Sequence, residues 1–162
     1  MAEALLNKLG TGKFRAFSAG SHPKSAPNPI ALELVEKLGF DRAQFTSKSW
    51  DVFAEPNAPH MDIIITVCDN AAGEACPVWL GHPATAHWGF PDPSEVDGEG
   101  AVSNDSDRRA AFDRVFIAIK RRIEFLVSLP MDKIEHLAHS GALSAALTSI
   151  HRESALGREH SV

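Results

Sequence analysis

Tyrosine is absent from this chain, cysteine occurs twice and tryptophan three times. With no tyrosine and so little tryptophan, there is no sign of a stacking platform for nucleic-acid bases. Positive charge is also short, with 16 Lys and Arg against 21 Asp and Glu and a formal net charge of -5. General nucleic-acid or anionic-membrane binders need a basic face, so this balance argues against both. No apolar run approaches the roughly 20 residues of a membrane span, and no charged start leads into an apolar stretch. The chain therefore reads as cytoplasmic. Two cysteines are too few for a disulfide scaffold, which leaves them as buried inert thiols or as a working redox pair.

What is present suits one soluble domain: 162 residues, 44% apolar and 23% charged. Ala2, Leu5, Leu6 and Leu9 fall at helical spacing and predict a helix over Met1–Leu9, closed by Gly10 and Gly12. No N-cap and no strand precede it, so the opening strand of an α/β unit is expected to be missing. Phe14–Ser18 alternates like a short strand, Ser21–Pro29 reads as a loop, and Pro29 starts a helix that Gly39 closes. Trp50–Ala54 suits one helical turn. The β-branched run Ile63–Val67, ending on Cys68, predicts a strand of a parallel sheet buried on both faces. Ala84–Trp88 is a weaker strand, and Ser94–Asp107 a loop. Arg108–Leu129 carries Phe112, Phe116, Ile119, Ile123 and Leu126 on one stripe, and Pro130 breaks that helix. Lys120-Arg121-Arg122 within it reads as a solvated face. Met131–Ile150 predicts a last helix before a polar tail. Helices alternating with parallel-type strands give an α/β fold, flavodoxin-like, in which ligands bind beyond the carboxyl ends of the strands. Cys68 and Asp92 both fall at such ends.

Cys68 and Cys76 enclose a segment of small residues, Asp69-Asn70-Ala71-Ala72-Gly73-Glu74-Ala75. Such a segment flexes cheaply and suits disulfide exchange between the two thiols. A helix starting there would favour the Cys68 thiolate, and Asp69 would oppose it. Spacing alone leaves this reading and that of two small buried hydrophobes equally open. In His87-Trp88-Gly89-Phe90-Pro91-Asp92-Pro93, two prolines fix a carboxylate that a general acid would need. The plainer alternative is a turn in which Asp92 satisfies local N–H groups. A zinc site from Cys68, Cys76, His82 and His87 lacks any recognisable ligand spacing, and no metal is expected. His22 and His60 read as polar loop residues.

Taken in order, Met1-Ala2-Glu3-Ala4-Leu5-Leu6, Phe17-Ser18-Ala19-Gly20, Thr66–Ala72, Cys76-Pro77-Val78-Trp79 and His87–Pro93 resemble arsenate reductases related to low-molecular-weight tyrosine phosphatases. The resemblance covers residues 1–130 and leaves 131–162 as a C-terminal helical extension. It implies a three-layer parallel sheet and a relay that reduces arsenate to arsenite. In that relay a cysteine in a C-x5-R-S loop attacks arsenic, while the loop's N–H groups and arginine hold the oxyanion. The resemblance further implies that Cys68 displaces arsenite and forms a disulfide. Cys76 then takes over that disulfide and exposes it to thioredoxin, glutaredoxin or a low-molecular thiol, while Asp92 assists the leaving oxygen. Glu3 and Ser18 match residues that hold a potassium ion near the loop in some members, and Lys48 is expected to replace that ion, so no cofactor is required.

This chain departs from the pattern, because neither Cys68 nor Cys76 has an arginine six positions on. The anion loop is therefore missing, which points to an N-terminally truncated chain that is inactive alone. The lost strand leaves unpaired backbone, with instability or strand borrowing between copies expected. A phosphatase of the same fold and a non-catalytic binding or scaffold module are the alternatives.

Overall fold

Helix α1 (Ala2–Leu9) forms where the apolar spacing predicts it, with Glu3 in its first turn and Lys8 in its last, each complementing the helix dipole. It buries Ala4 and Leu5 completely. Gly10 ends it by donating its N–H to the Leu6 carbonyl at 2.8 Å. A β-carbon at Gly10 would come within 2.8 Å of that oxygen and 2.9 Å of the Phe14 ring, so only glycine fits the turn. These elements come from a computed structural model describing residues 1–68, 81, 83–94 and 104–139, with positions 142, 145, 146 and 149.

Helix α2 (Pro29–Lys37) starts with proline in its first turn, behind an Asn28 side chain that accepts the Ile30 N–H at 2.9 Å. It buries Leu34 and Val35, and Gly39 follows at φ 92°. Two short 3-10 turns, Arg42–Gln44 and Trp50–Phe53, lead to strand β1 (Ile63–Cys68). Strand β2 (Ala84–Phe90) runs parallel to β1, in register from Ile63 opposite Ala84 to Thr66 opposite His87. The register then shifts, and Cys68 sits opposite Phe90. This places an extra residue in β2, a bulge of the kind that re-aims side chains near a strand end.

Helix α3 (Asp105–Ser128) is the longest element. Its Asn104 cap accepts the Asp107 N–H at 2.9 Å, and Asp105 and Asp107 occupy its first turn. A final helix, α4 (Met131–His139), follows Pro130 and buries Ile134. The core joins α1, β2, α3 and α4 through Leu5, Trp88, Ile119, Ile123, Leu126 and Ile134. Each such side chain contributes about 1.5–3 kcal/mol through removal from water. α1 and α3 together pack on the sheet face made by Ala86, Trp88 and Phe90.

The structure corrects four expectations. Phe14–Ser18 is not a strand. The Ala16 N–H donates to the Asn7 side-chain oxygen at 2.9 Å, and the Asn7 amide donates back to the Ala16 carbonyl at 3.0 Å. A local side chain thus takes the place of a ladder. β1 is half-buried rather than enclosed on both faces, and Val67 is 37% exposed. Arg122 does not belong to a solvated face: it is 7% exposed, with its guanidinium 4.0 Å from the centre of the Phe90 ring. α3 begins three residues earlier than predicted, inside the stretch read as loop. The predicted last helix is described only to His139, and its continuation lies almost entirely outside the described residues.

Among the described residues β1 pairs along one edge only. A groove of about 420 Å3 is lined by Ile63, Ile65 and Val67 of β1, the extended Phe14–Phe17 segment, and Ala2, Glu3 and Leu6 of α1.

Candidate functional site

Parallel strands bring their carboxyl ends to one edge, and here that edge carries Cys68 and the loop holding Asp92. Cys68 is the last residue of β1 and pairs with Phe90, the last residue of β2. Asp92 lies two residues further on and is exposed. Its Oδ1 accepts the Ser94 N–H at 2.8 Å and the Ser94 hydroxyl at 2.7 Å. These bonds make the Asx turn that the plainer reading anticipated, and they also fix the orientation of the carboxylate at the rim. Cys76 and His82 lie outside the described residues. Among the described residues no group of three or more His, Cys, Asp or Glu is arranged to hold a metal ion.

A second group gathers at the start of α1. The Ser18 hydroxyl donates to Glu3 Oε2 at 2.5 Å, across 15 residues of chain. Ser18 and Lys48 line one cleft of about 240 Å3 with Met1, Gly20, Thr46 and Ser47. The Lys48 ammonium donates to the Thr46 carbonyl at 3.3 Å, so its nearest partner belongs to its own loop. Backbone bonds from the Gly20 N–H to the Lys48 carbonyl, 3.1 Å, and from the Trp50 N–H to the Gly20 carbonyl, 3.0 Å, tie the two walls of the cleft together. Burial pushes the Met1 ammonium below its ordinary pKa, with the Glu3 carboxylate opposing the shift. Glu3 and Val67 line the same groove, so the start of α1 and the end of β1 border one space.

One pair at the rim was not singled out from the sequence: Thr66 Oγ1 lies 2.8 Å from His87 Nδ1. The two residues are 21 apart and meet only because the parallel register sets them opposite each other. A hydroxyl and an imidazole on two adjacent predicted strands were the available signal, but strand register is invisible to sequence periodicity.

A cysteine at the end of β1 and a held carboxylate just after β2, with a hydroxyl–imidazole pair earlier along the two strands, suit proton and sulfur chemistry on a small ligand. Residues 1–139 match the low molecular weight phosphotyrosine protein phosphatase family. An arsenate reductase of Bacillus licheniformis is 32% identical over 124 residues, covering 76% of this chain and 82% of that protein. Arsenate reductases of Bacillus subtilis and Shouchella clausii are 28% and 30% identical over the same length and the same shares. The flavodoxin-like α/β arrangement of that family agrees with the parallel β1–β2 pair and its helices. On this match, the chain belongs to the low molecular weight phosphotyrosine protein phosphatase family.

Proposed function

We propose that this chain is the resolving half of an arsenate reductase, in which Cys68 and Cys76 form the disulfide that closes each turnover. The observation that carries this reading is the placement of Cys68 at the carboxyl end of β1, on the edge it shares with Asp92. The arsenate reductase relatives support the substrate class. Asp92 serves as the acid for the leaving oxygen, and Glu3, Ser18 and Lys48 support the oxyanion site at the start of α1. The electrons come from thioredoxin, glutaredoxin or a low-molecular thiol acting on the exposed disulfide. With two cysteines, neither followed by arginine six residues on, the chain as it stands lacks the attacking thiol and the arginine cradle. It therefore does not turn over arsenate alone.

Two measurements test the reading. Mild oxidation of the full chain should give a Cys68–Cys76 disulfide, identified by peptide mass mapping and reversed by a dithiol. Incubation with arsenate and a thioredoxin system should give no sustained arsenite. Continuous arsenite production would refute the claim of inactivity, and two thiols inert to oxidation in the folded chain would refute the relay. We also propose that the edge of β1 left unpaired among the described residues favours pairing between copies; a monomer at all concentrations in sedimentation would refute this.

A further inference from the structure

The buried side chains of α3, from Ala111 to Leu126, take the side of the helix that meets the core. The opposite side carries Ile117 at 49% exposure, with Phe125 at 44% beside it. Among the described residues these are the two most exposed large apolar side chains. A single exposed hydrophobic is ordinary, whereas two on one helix face point to a contact.

The charges on this face differ from those elsewhere on α3. Arg109 is held by Glu33 and Asp105, Arg122 lies over Phe90, and Lys120 reaches Glu124 Oε1 at 2.9 Å. Arg114 and Arg121 are exposed, and among the described residues no side-chain partner holds either. Their spacing is regular. Ala110, Arg114, Ile117, Arg121, Glu124 and Ser128 recur at alternating steps of four and three. At 3.6 residues per turn, these six fall within about 80° of the helix circumference. Steps of four and three make the seam by which two helices pack along their length.

We propose that this face of α3 binds a second copy of the chain, with the two α3 helices antiparallel and the two-fold axis level with Ile119. At that register Arg114 stands opposite Glu124 of the second copy, and Glu124 opposite Arg114. Lys120 occupies Oε1 of Glu124 and leaves Oε2 for the arginine. Ile117 meets the stem of Arg121, whose guanidinium stays in water. Phe125 comes within one residue of Arg114 of the other copy, where its ring takes a cation. Ala110 and Ser128 oppose each other at both ends and are short enough for the backbones to approach. Charge selects the direction: parallel helices would set each arginine against its own copy. This contact is distinct from pairing at the edge of β1 and does not depend on the reaction the chain serves.

The contact is one helix pair, smaller than the roughly 800 Å2 per partner of a standard interface. The dimer is therefore weak, and at the low concentrations used for optical unfolding the chain is monomeric.

Sedimentation equilibrium of the full chain, from tens of micromolar to millimolar, tests the proposal by exchanging charges. An exposed ion pair is worth about twofold in an equilibrium constant, and a like-charge pair costs about as much. Arg114→Glu turns both attractive pairs repulsive, so dimerisation should weaken about fifteenfold, and Glu124→Arg should weaken it equally. The double variant Arg114→Glu, Glu124→Arg restores both pairs and should associate within about twofold of the parent. Circular dichroism checks that each variant keeps its helices. A parent that is monomeric throughout would overturn the proposal, as would a double variant no better than the single ones. Association that ignores all three variants belongs to another surface, such as the edge of β1, and would overturn it too.

Discussion

Ile123 and Ile117 lie on the same helix, α3, and permit a controlled comparison of what burial contributes. Ile123 is 1% exposed and packs in the cluster that includes Leu5, Trp88 and Leu126, whereas Ile117 is 49% exposed. Replacing either by alanine removes the same atoms and gives the same gain in helix propensity. At Ile123 the change also leaves a cavity among side chains held by α1 and β2, and should cost about 3 kcal/mol. At Ile117 the propensity gain of about 0.4 kcal/mol is nearly all that remains, and its sign is stabilising. With a urea dependence of about 2 kcal/mol/M for a chain of this size, Ile123→Ala should lower the unfolding midpoint by about 1.5 M. Ile117→Ala should move it by less than about 0.3 M. Equilibrium urea unfolding, followed by circular dichroism and by tryptophan fluorescence, measures both. Equal midpoints for the two variants would show that α3 does not bury this face against α1 and β2, and the packing argument would fail.

Other predictions follow from the caps and charges. Asn104→Ala removes the oxygen that accepts the Asp107 N–H and should cost about 1 kcal/mol, largely recovered by Asn104→Ser, as read from urea midpoints. Glu33 links α2 to α3 by a close contact with Arg109 Nη1 and a second bond from Nη2 at 3.3 Å. The Arg109 hydrogen bonds hold its carboxyl below the usual range, against a smaller opposing effect of desolvation. A lowered carboxylate pKa stabilises the fold above the ordinary value, and that contribution is lost as pH falls through the folded value. Glu33→Gln should therefore flatten the acid limb of stability as pH falls below the ordinary carboxylate range, and added salt should erase the difference from the parent. An acid limb of unchanged slope in Glu33→Gln would count against the link.

The sequence made local structure legible wherever local chemistry determines it. Pro29 and Gly39 bracket α2, Gly10 closes α1, and the apolar stripe of α3 predicts the face that is buried. It misled at Phe14–Ser18, because alternation reports which residues suit a strand and not whether a neighbour is there to pair with. Asn7, a helix residue with no pattern to mark it, holds the two Ala16 groups that a ladder would otherwise use. Arg122 was read by its charge, while its guanidinium lies over Phe90, a contact that depends on how α3 crosses the sheet. At the candidate site, the positions of Cys68 and Asp92 at strand ends were readable from the run Ile63–Val67 and the prolines after Phe90. The Thr66–His87 bond was not, since it depends on register.

The packing of α1 on α3 also has a consequence for the order in which the chain emerges from the ribosome. Leu5 and Ile123 share one cluster but are separated by more than a hundred residues of sequence. At about 5–20 residues per second, the partner face of α1 is synthesised roughly 6–24 seconds after α1 itself. For that interval Leu5 and Leu6 have no α3 to cover them, and the nascent chain carries the apolar face of α1 uncovered.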